Sequence, residues 1–223
     1  MDKEDHVMPD QPDALTNKTF LDMLLEGNRS GCLDFARNYV LQHGSIEDLY
    51  ENILKTSLYE VGELWENNKI TVATEHMASA IVENVLNDCY SEIVGGKKHH
   101  QRVVVACVEN EYHQIGIKMI SDVFEMNGWE SFFLGANVPT RDLISFIKSQ
   151  EPYVLAISMS IYYHLPVLES MIRMIRQEFP ELLIMVGGQA FRHGGQEAIS
   201  KFENVVYQPD IKSTEAFIRS ITK

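Results

Sequence analysis

The feature that most constrains the fold is an unbroken apolar run, residues 103–108, that passes directly into polar residues. A run this short and this rich in β-branched side chains predicts a strand buried on both faces of a parallel sheet. Residues 115–124 then place apolar side chains at helical spacing. Glu111, His113 and Gly116 therefore fall on the loop after this strand, at the edge where open α/β sheets bind ligands.

Strand and helix patterns alternate from this point to the end of the chain. The alternation predicts a doubly wound, flavodoxin-like or Rossmann-like parallel sheet of five strands, in an α/β fold. We predict strands at 102–108, 130–134, 153–158, 182–186 and 204–207, and helices at 114–127, 140–149, 166–178, 194–202 and 213–221.

Amphipathic helices precede the sheet. Their apolar residues recur at helical spacing, and Ser45 followed by Asp48 is typical of a capped helix start. Short connections join the helices, which together predict a four-helix bundle. The predicted helices are 17–26, 30–43, 45–66 and 71–94.

Composition changes divide the chain into three predicted parts. Residues 1–16 contain two prolines and few apolar side chains, which favours a disordered tail. Residues 17–95 form the helical-bundle domain, and residues 101–223 form the sheet domain. The glycine-rich, polar stretch from Gly95 to His100 predicts a flexible hinge between them.

Charge, hydrophobicity and cysteine content argue against a nucleic-acid-binding, membrane-spanning or secreted protein. Asp and Glu total 32 against 19 Lys and Arg, giving a formal charge of −13 that argues against a sequence-independent grip on nucleic acid. No apolar run approaches the length of a membrane span. The polar N-terminus shows no secretory signal, and three scattered cysteines favour reduced thiols in the cytoplasm.

Polar and small residues follow three of the predicted strands. Glu111 can hold one ring nitrogen of His113 and fix its tautomer, although an ordinary surface histidine is the alternative interpretation. Serines follow the third strand and glycines the fourth, which predicts an open slot between the strand ends. The turn Glu109-Asn110-Glu111 has no glycine and is acidic, so it does not favour a dinucleotide phosphate.

Together, Glu111-x-His113-x-x-Gly116, then Ser158-x-Ser160, then Gly187-Gly188 resemble the cobalamin-binding domain. The resemblance implies that His113 replaces the cofactor's dimethylbenzimidazole as the lower cobalt ligand, with Glu111 behind it. It also implies that the serines and the glycine pair line the tunnel for the nucleotide tail. The family usually has aspartate where this chain has Glu111. Further cofactor contacts are expected at Tyr112, Gln114, Ile115, Leu134 and Gln189.

The bundle carries a second group of residues. Trp65 ends the third predicted helix, and Glu75 and His76 lie in the first turns of the fourth. A tryptophan that packs in the bundle, with a glutamate favoured by the helix dipole, is one interpretation. However, Trp-x9-Glu-His before a cobalamin domain resembles the light-sensing adenosylcobalamin-dependent regulators. That resemblance implies a bundle capping the upper cobalt face, with the tryptophan beside the adenosyl group.

Two departures from those regulators affect the expected function. Their best-known members have a histidine directly after the tryptophan, which takes the upper cobalt position after photolysis; here that residue is Glu66. In this chain, water, Glu66 or His76 could take the upper cobalt position after photolysis. Those regulators also usually carry an N-terminal winged-helix domain, and only about sixteen polar residues precede the first helix here. We therefore expect no direct contact with nucleic acid or membrane.

The favoured hypothesis is a cytoplasmic, non-enzymatic photoreceptor that binds adenosylcobalamin, with methylcobalamin and hydroxocobalamin as alternative forms. Light would remove the upper ligand and change self-association, as a dimer or tetramer, or binding to a separate regulatory protein or kinase. The alternative hypothesis is a corrinoid shuttle protein of a methyltransferase system, since such subunits pair a helical bundle with the same sheet domain.

Overall fold

A computed structural model describes residues 14–93 and 98–222 of the chain. Two compact units follow one another, one ending at Asp88 and the next beginning at Cys89. The second unit contains a five-stranded, entirely parallel sheet with the strand order β2-β1-β3-β4-β5, which confirms the predicted α/β class. The strands are β1 (Arg102–Cys107), β2 (Glu130–Gly135), β3 (Val154–Ser158), β4 (Leu183–Gly187) and β5 (Val205–Tyr207).

The apolar run that opened the sequence analysis forms the centre of the sheet. Residues 103–108 are fully buried, and β1 pairs with β2 on one side and β3 on the other. A strand covered on both faces cannot afford polar side chains, which explains its uniform composition. The pairing continues one residue past β1, because Val108 donates its N–H to the Ser158 carbonyl at 2.9 Å.

Helices follow the strands closely to the predicted pattern. The predicted helix at 194–202 is shorter in the structure, because Gly194 and Gly195 have φ values of 115° and 92° that interrupt a right-handed helix. Two 3₁₀ turns, Tyr162–His164 and Gln189–His193, occupy segments predicted as loop. The α-helices are α6 (Ile115–Met126), α7 (Thr140–Gln150), α8 (Leu165–Glu178), α9 (Gln196–Ser200) and α10 (Ile211–Ile221).

The first unit is helical, as predicted. Its third helix consists of α3, a π-helical segment and α4 in direct continuation, and Ser45 caps it by accepting from the Asp48 N–H at 3.1 Å. Apolar residues such as Phe20, Tyr50 and Ile53 are fully buried between the helices. The elements are α1 (Ala14–Leu25), α2 (Arg29–His43), α3 (Ile46–Asp48), the π segment (Leu49–Leu54), α4 (Lys55–Glu66) and α5 (Val72–Ile93).

The described residues include only some of the predicted domain limits. Helix α1 begins at Ala14 and not at residue 17. Residues 1–13 of the predicted tail, residue 94 at the end of the predicted fourth helix and residues 95–97 of the predicted hinge lie outside the described residues. Within the described ranges, no helix has the length and apolar content needed to cross a bilayer.

One arginine joins the connections that lead into β4 and β5. Arg176 in α8 donates to the carbonyls of Phe179 and Leu182, and also to those of Glu203 and Asn204, at distances of 2.6 to 3.2 Å. Four carbonyls from two connections thus converge on one planar fork of donors.

We expect Arg176→Met to lower the free energy of unfolding by about 2–3 kcal/mol, because it leaves partly buried carbonyls without charged donors. Urea unfolding would measure the loss. The matched control is Arg173→Met on the same helix, whose side chain is 58% exposed and pairs with Glu169 at 3.5 Å. That change should cost about 0.5 kcal/mol or less, and equal losses in the two variants would contradict the assigned role.

Candidate functional site

Glu111 and His113 lie on the loop between β1 and α6, at the carboxyl edge of the sheet. The chain reaches β2 on one side of β1 and β3 on the other, so the strand order reverses between β1 and β3. Loops diverge at such a reversal and leave a crevice above the strand ends. The fold therefore places the predicted histidine at the position where a sheet of this kind binds ligands.

The Glu111 carboxylate is the most heavily bonded group at this edge. Oε1 accepts from the backbone N–H groups of Tyr112 at 3.0 Å and His113 at 3.1 Å, and it also contacts Nδ1 of His113. Oε2 accepts from the backbone N–H groups of Ser160 and Ile161, each at 3.0 Å. The carboxylate thus joins the loop after β1 to the loop after β3.

The environment of Glu111 keeps it ionised. Its side chain is fully buried, and burial alone would raise the pKa. The hydrogen bonds from the His113 ring and from the N–H groups of His113 and Ile161, with the charge on His113, outweigh burial and lower the pKa from 4.5 to about 2. A buried carboxylate with this many donors is a strong and permanent acceptor.

His113 projects outward from this buried anchor. Its side chain is 58% exposed, while Nδ1 is engaged by Glu111. Because Nδ1 is engaged, coordination of a metal would take place through Nε2, with the carboxylate fixing the tautomer and the ring orientation. The contact of Glu111 with one ring nitrogen of His113 is the one that the sequence predicted. The role of His113 as a metal ligand stays a prediction.

His164 is a partner that the sequence analysis missed. It ends the 3₁₀ turn after β3, and its Nδ1 lies 3.3 Å from Oε2 of Glu111. The side chain is only 14% exposed. The sequence gave no signal for it, because nothing in Tyr162-Tyr163-His164 indicates which of three consecutive ring-bearing side chains turns inward.

The other predicted residues of the first loop brace it against the loop after β2. Tyr112 is 69% exposed, and its hydroxyl accepts from Nδ2 of Asn137 at 3.2 Å. Oε1 of Gln114 accepts from the Ala136 N–H at 3.3 Å. These bonds hold the His113 loop from its second side.

Ser158 and Ser160 lie where the sequence predicted, at the end of β3. Ser158 is the last residue of the strand and is buried, whereas Ser160 is partly exposed and donates its N–H to Glu111. The strand end thus contributes backbone donors as well as hydroxyl groups to the edge.

Gly187 is the last residue of β4 and Gly188 follows it, and both lie close to neighbouring backbone. A Cβ on Gly188 would come within 2.3 Å of the Met159 carbonyl oxygen, and one on Gly187 within 3.0 Å of that of Gln208. Close approach of backbone, together with φ of 110° at Gly188, requires glycine there. Gln189, partly exposed, opens the 3₁₀ turn that follows.

Three further predicted contacts lie around the first loop. Leu134 in β2 is partly buried against the core, and Ile115 begins α6. Gly116 is exposed, and a Cβ on it would have no described atom within 4 Å beyond its own helical turn. The protein itself therefore leaves open space beside the first turn of α6.

The predicted residues of the bundle lie at its surface. Trp65 and Glu66 end α4, and Trp65 is 46% exposed. Glu75 lies in the first turn of α5, where its carboxylate contacts Nδ1 of His76 and accepts from the Ser79 hydroxyl at 2.9 Å. Half-exposure of the Trp65 ring does not fit the alternative in which it packs in the bundle core.

Comparisons with known proteins bear on both units. The profile of the B12 binding domain family matches residues 101–210. A second profile with the same description, B12 binding domain, matches residues 16–89. The helical region and the sheet region are therefore each similar to a segment of B12-binding proteins.

Two curated relatives differ in kind. The HTH-type transcriptional repressor CarH of Myxococcus xanthus is 29% identical over 144 residues, 64% of this chain and 48% of the repressor, so the chain matches about half of that protein's length. Dimethylamine corrinoid protein 3 of Methanosarcina acetivorans is 26% identical over 145 residues, 64% of this chain and 68% of that protein. By their names, the first is a transcriptional repressor and the second a corrinoid protein.

A solved structure supports the fold. The monomethylamine corrinoid protein of Methanosarcina barkeri superposes with a TM-score of 0.78, at 14% identity, over 93% of this chain and 99% of that one. The likeness confirms a helical N-terminal region followed by a five-stranded α/β sheet.

The low pKa of Glu111 predicts an acid-dependent loss of stability. The ionised carboxylate favours the folded state, so its contribution is complete above the ordinary pKa of 4.5 and disappears as the pH falls toward the folded value of about 2. Glu111→Gln removes this titration. The stability difference between wild type and variant should therefore shrink by about 3 kcal/mol across that range.

Chemical unfolding of the cofactor-free protein at a series of pH values from 6 downward would measure this difference. Glu130→Gln is the control, because Glu130 is exposed and pairs with Arg102 at 2.9 Å on the surface. Its difference from wild type should stay small throughout. A Glu111→Gln difference that is independent of pH would contradict the low pKa.

Proposed function

Because the chain belongs to the family of B12-binding domain proteins and binds cobalamin, we propose that it holds the cofactor with His113 as the lower cobalt ligand. The residues present fit such a group. The exposed His113 ring is anchored through Nδ1 to a buried carboxylate, which leaves coordination to Nε2. In this proposal residues 17–95 are the cap domain and residues 101–223 the cobalamin-binding domain.

Space at the first loop supports the same assignment. Gly116 follows His113 by three residues, and no described atom outside its own helical turn fills the position of a Cβ. Gly188 differs, since the Met159 backbone already occupies that space. Gly116 is therefore the glycine that permits a bulky ring system to lie against the loop. Ser158, Ser160, Gly187 and Gln189 are assigned to the nucleotide tail on the resemblance alone.

We further propose that the chain is a cytoplasmic light sensor that uses adenosylcobalamin. When bound, that cofactor supplies a cobalt–carbon bond that visible light cleaves. The observation that carries the proposal is the set Trp65, Glu75 and His76 at the end of α4 and the start of α5. Trp65 is 46% exposed, and the side chains of His76 and Glu75 are 74% and 25% exposed. The Trp65 indole can stack on the adenine of the adenosyl group, and the Glu75 carboxylate and the His76 imidazole can hydrogen-bond to its ribose. The likeness to the CarH repressor supports this assignment.

In this proposal the bundle residues detect the upper ligand and the protein converts its loss into altered association. Glu75 is held by the Ser79 hydroxyl and by His76, so its orientation is defined before any ligand binds. Loss of the upper group would leave the Trp65 ring without its partner, which favours a new packing of the cap or of a second copy. We assign the output to self-association as a dimer or tetramer, or to a partner protein.

A corrinoid protein of a methyltransferase system is the second candidate function. It is favoured by the similarity to dimethylamine corrinoid protein 3, which extends over 68% of that protein. In that case His113 would keep its role, and Trp65 would have no adenosyl group to contact. The two functions therefore differ in what the bundle residues recognise.

The first experiment loads the purified protein with adenosylcobalamin and records visible spectra and oligomeric mass before and after green light. We expect a spectral change together with a change in mass. Trp65→Ala should weaken binding of adenosylcobalamin by about tenfold, with hydroxocobalamin affected far less, because only the former carries the adenine.

Three outcomes would count against this assignment. An unchanged spectrum under light contradicts the sensor function, and equal effects of Trp65→Ala on both cobalamins contradict the role of the indole. Turnover of bound methylcobalamin by a methyl donor protein, with poor adenosylcobalamin binding, would favour the corrinoid-protein function instead. The visible spectrum of cobalamin-loaded His113→Ala, in which no imidazole is bound to cobalt, serves as the reference for loss of the lower ligand.

The open space at Gly116 gives a prediction with two readouts. Gly116→Ala should weaken cobalamin binding by about tenfold, because the added methyl group meets the ring system. The cofactor-free variant should be as stable as wild type or slightly more so, since alanine is favoured in helices. Titration with hydroxocobalamin and thermal unfolding measure the two effects; normal affinity would show that no ring lies against α6.

A further inference from the structure

We propose that Asn137, on the loop between β2 and α7, is a positioning residue for the lower cobalt ligand. The inference rests on the proposed role of His113 and concerns the side of its loop that faces β2. Asn137 forms hydrogen bonds with three consecutive residues of that loop, Asn110, Glu111 and Tyr112. One exposed residue therefore holds the segment that leads directly into His113.

The three bonds use different groups of Asn137. Oδ1 accepts from the Asn110 N–H at 3.2 Å, and Nδ2 donates to the Tyr112 hydroxyl at 3.2 Å. The main-chain N–H of Asn137 donates to the Glu111 carbonyl at 3.0 Å. The side-chain amide thus adds a bond on each side of the main-chain bond along the loop. The loop consequently cannot pivot about a single contact.

The backbone conformation of Asn137 makes this arrangement possible. Its φ of 52° lies in the left-handed region, which few residues other than glycine and asparagine adopt readily. Glycine at this position would keep the conformation and the main-chain bond to Glu111, and it would lose both side-chain bonds. Exchange of asparagine for glycine therefore isolates the contribution of the amide group.

Glu111 connects these bonds to the cobalt ligand. Its carboxylate accepts from the N–H groups of Ser160 and Ile161 on one side, and its main-chain carbonyl accepts from Asn137 on the other. The same carboxylate contacts Nδ1 of His113. A side chain holds a neighbouring ring in one orientation only when its own main chain is restrained. Asn137 supplies that restraint on the β2 side of the loop.

The amide of Asn137 contributes more to the orientation of the loop than to the stability of the fold. Asn110, Tyr112 and Asn137 are all exposed, so water can replace each partner that is lost. Without the amide, the loop would sample more orientations. Coordination of cobalt through His113 would then carry the cost of restricting them again. The expected effect is therefore on coordination and not on folding.

A double-mutant cycle tests this expectation. Asn137→Gly should weaken hydroxocobalamin binding by about fivefold, less than the roughly tenfold or larger effects of groups that touch a metal-bound histidine directly. In the His113→Ala background, where the lower ligand is absent, the same substitution should leave the affinity unchanged. Such a dependence on His113 is a result that a merely structural role of Asn137 would not produce.

The matched control is Asn204→Gly. Asn204 is also exposed and has a φ of 55°, and its main-chain carbonyl accepts hydrogen bonds at the opposite edge of the sheet. This substitution should leave the affinity unchanged in both backgrounds. Thermal unfolding of the cofactor-free proteins shows that each variant folds, and the midpoints of wild type and Asn137→Gly should agree within about 2 °C.

The outcomes separate the inference from the function on which it rests. Electron paramagnetic resonance of the loaded wild type, reduced to cobalt(II), shows whether a ring nitrogen splits the cobalt lines. If it does, three results overturn the role of Asn137: an unchanged affinity in Asn137→Gly, equal losses of affinity in both backgrounds, or a large fall in its unfolding midpoint. If wild type shows no splitting, the proposed role of His113 fails and the inference fails with it.

Discussion

The arrangement of the candidate site depends on the burial of one negative charge, the Glu111 carboxylate. A buried ion without partners would cost several kcal/mol, and here four backbone N–H groups and two imidazole rings surround it. The donors come from two loops that follow adjacent strands, so the charge is satisfied only when both loops are in place. The carboxylate consequently specifies the conformation of both loops at the carboxyl edge of the sheet.

The sheet makes this convergence possible. β1 and β3 are neighbours because the chain crosses over β1 after β2, and the Val108–Ser158 hydrogen bond extends their pairing to the start of the two loops. His113 is thereby held by main-chain geometry and not by surface packing, although its ring is largely exposed. A histidine ring held in this way requires little reorganisation when it binds a metal, because the buried carboxylate already restricts its orientation.

The sequence predicted those parts of the molecule that local pattern determines. A continuous apolar run such as residues 103–108 is compatible with little other than a central strand. Glu111 and His113 lie two residues apart on one loop, so their contact could be predicted once that loop was placed at the edge of the sheet. His164 escaped prediction because its partner is 53 residues away, and only the tertiary fold shows that it turns inward. The shortening of α9 depends on positive φ at Gly194 and Gly195, and the π segment continues the helical pattern so smoothly that periodicity cannot distinguish it.

The bundle residues differ from the sheet residues in how much the protein itself explains them. Glu111 is accounted for by its donors and Gly188 by the Met159 backbone, so neither requires a ligand. The Trp65 ring is half-exposed, and Gly116 borders open space. Large exposed apolar side chains and unfilled glycine positions are common one at a time. They matter here only within the proposed function, which assigns Trp65 to the adenosyl group and Gly116 to the ring system beside the lower ligand.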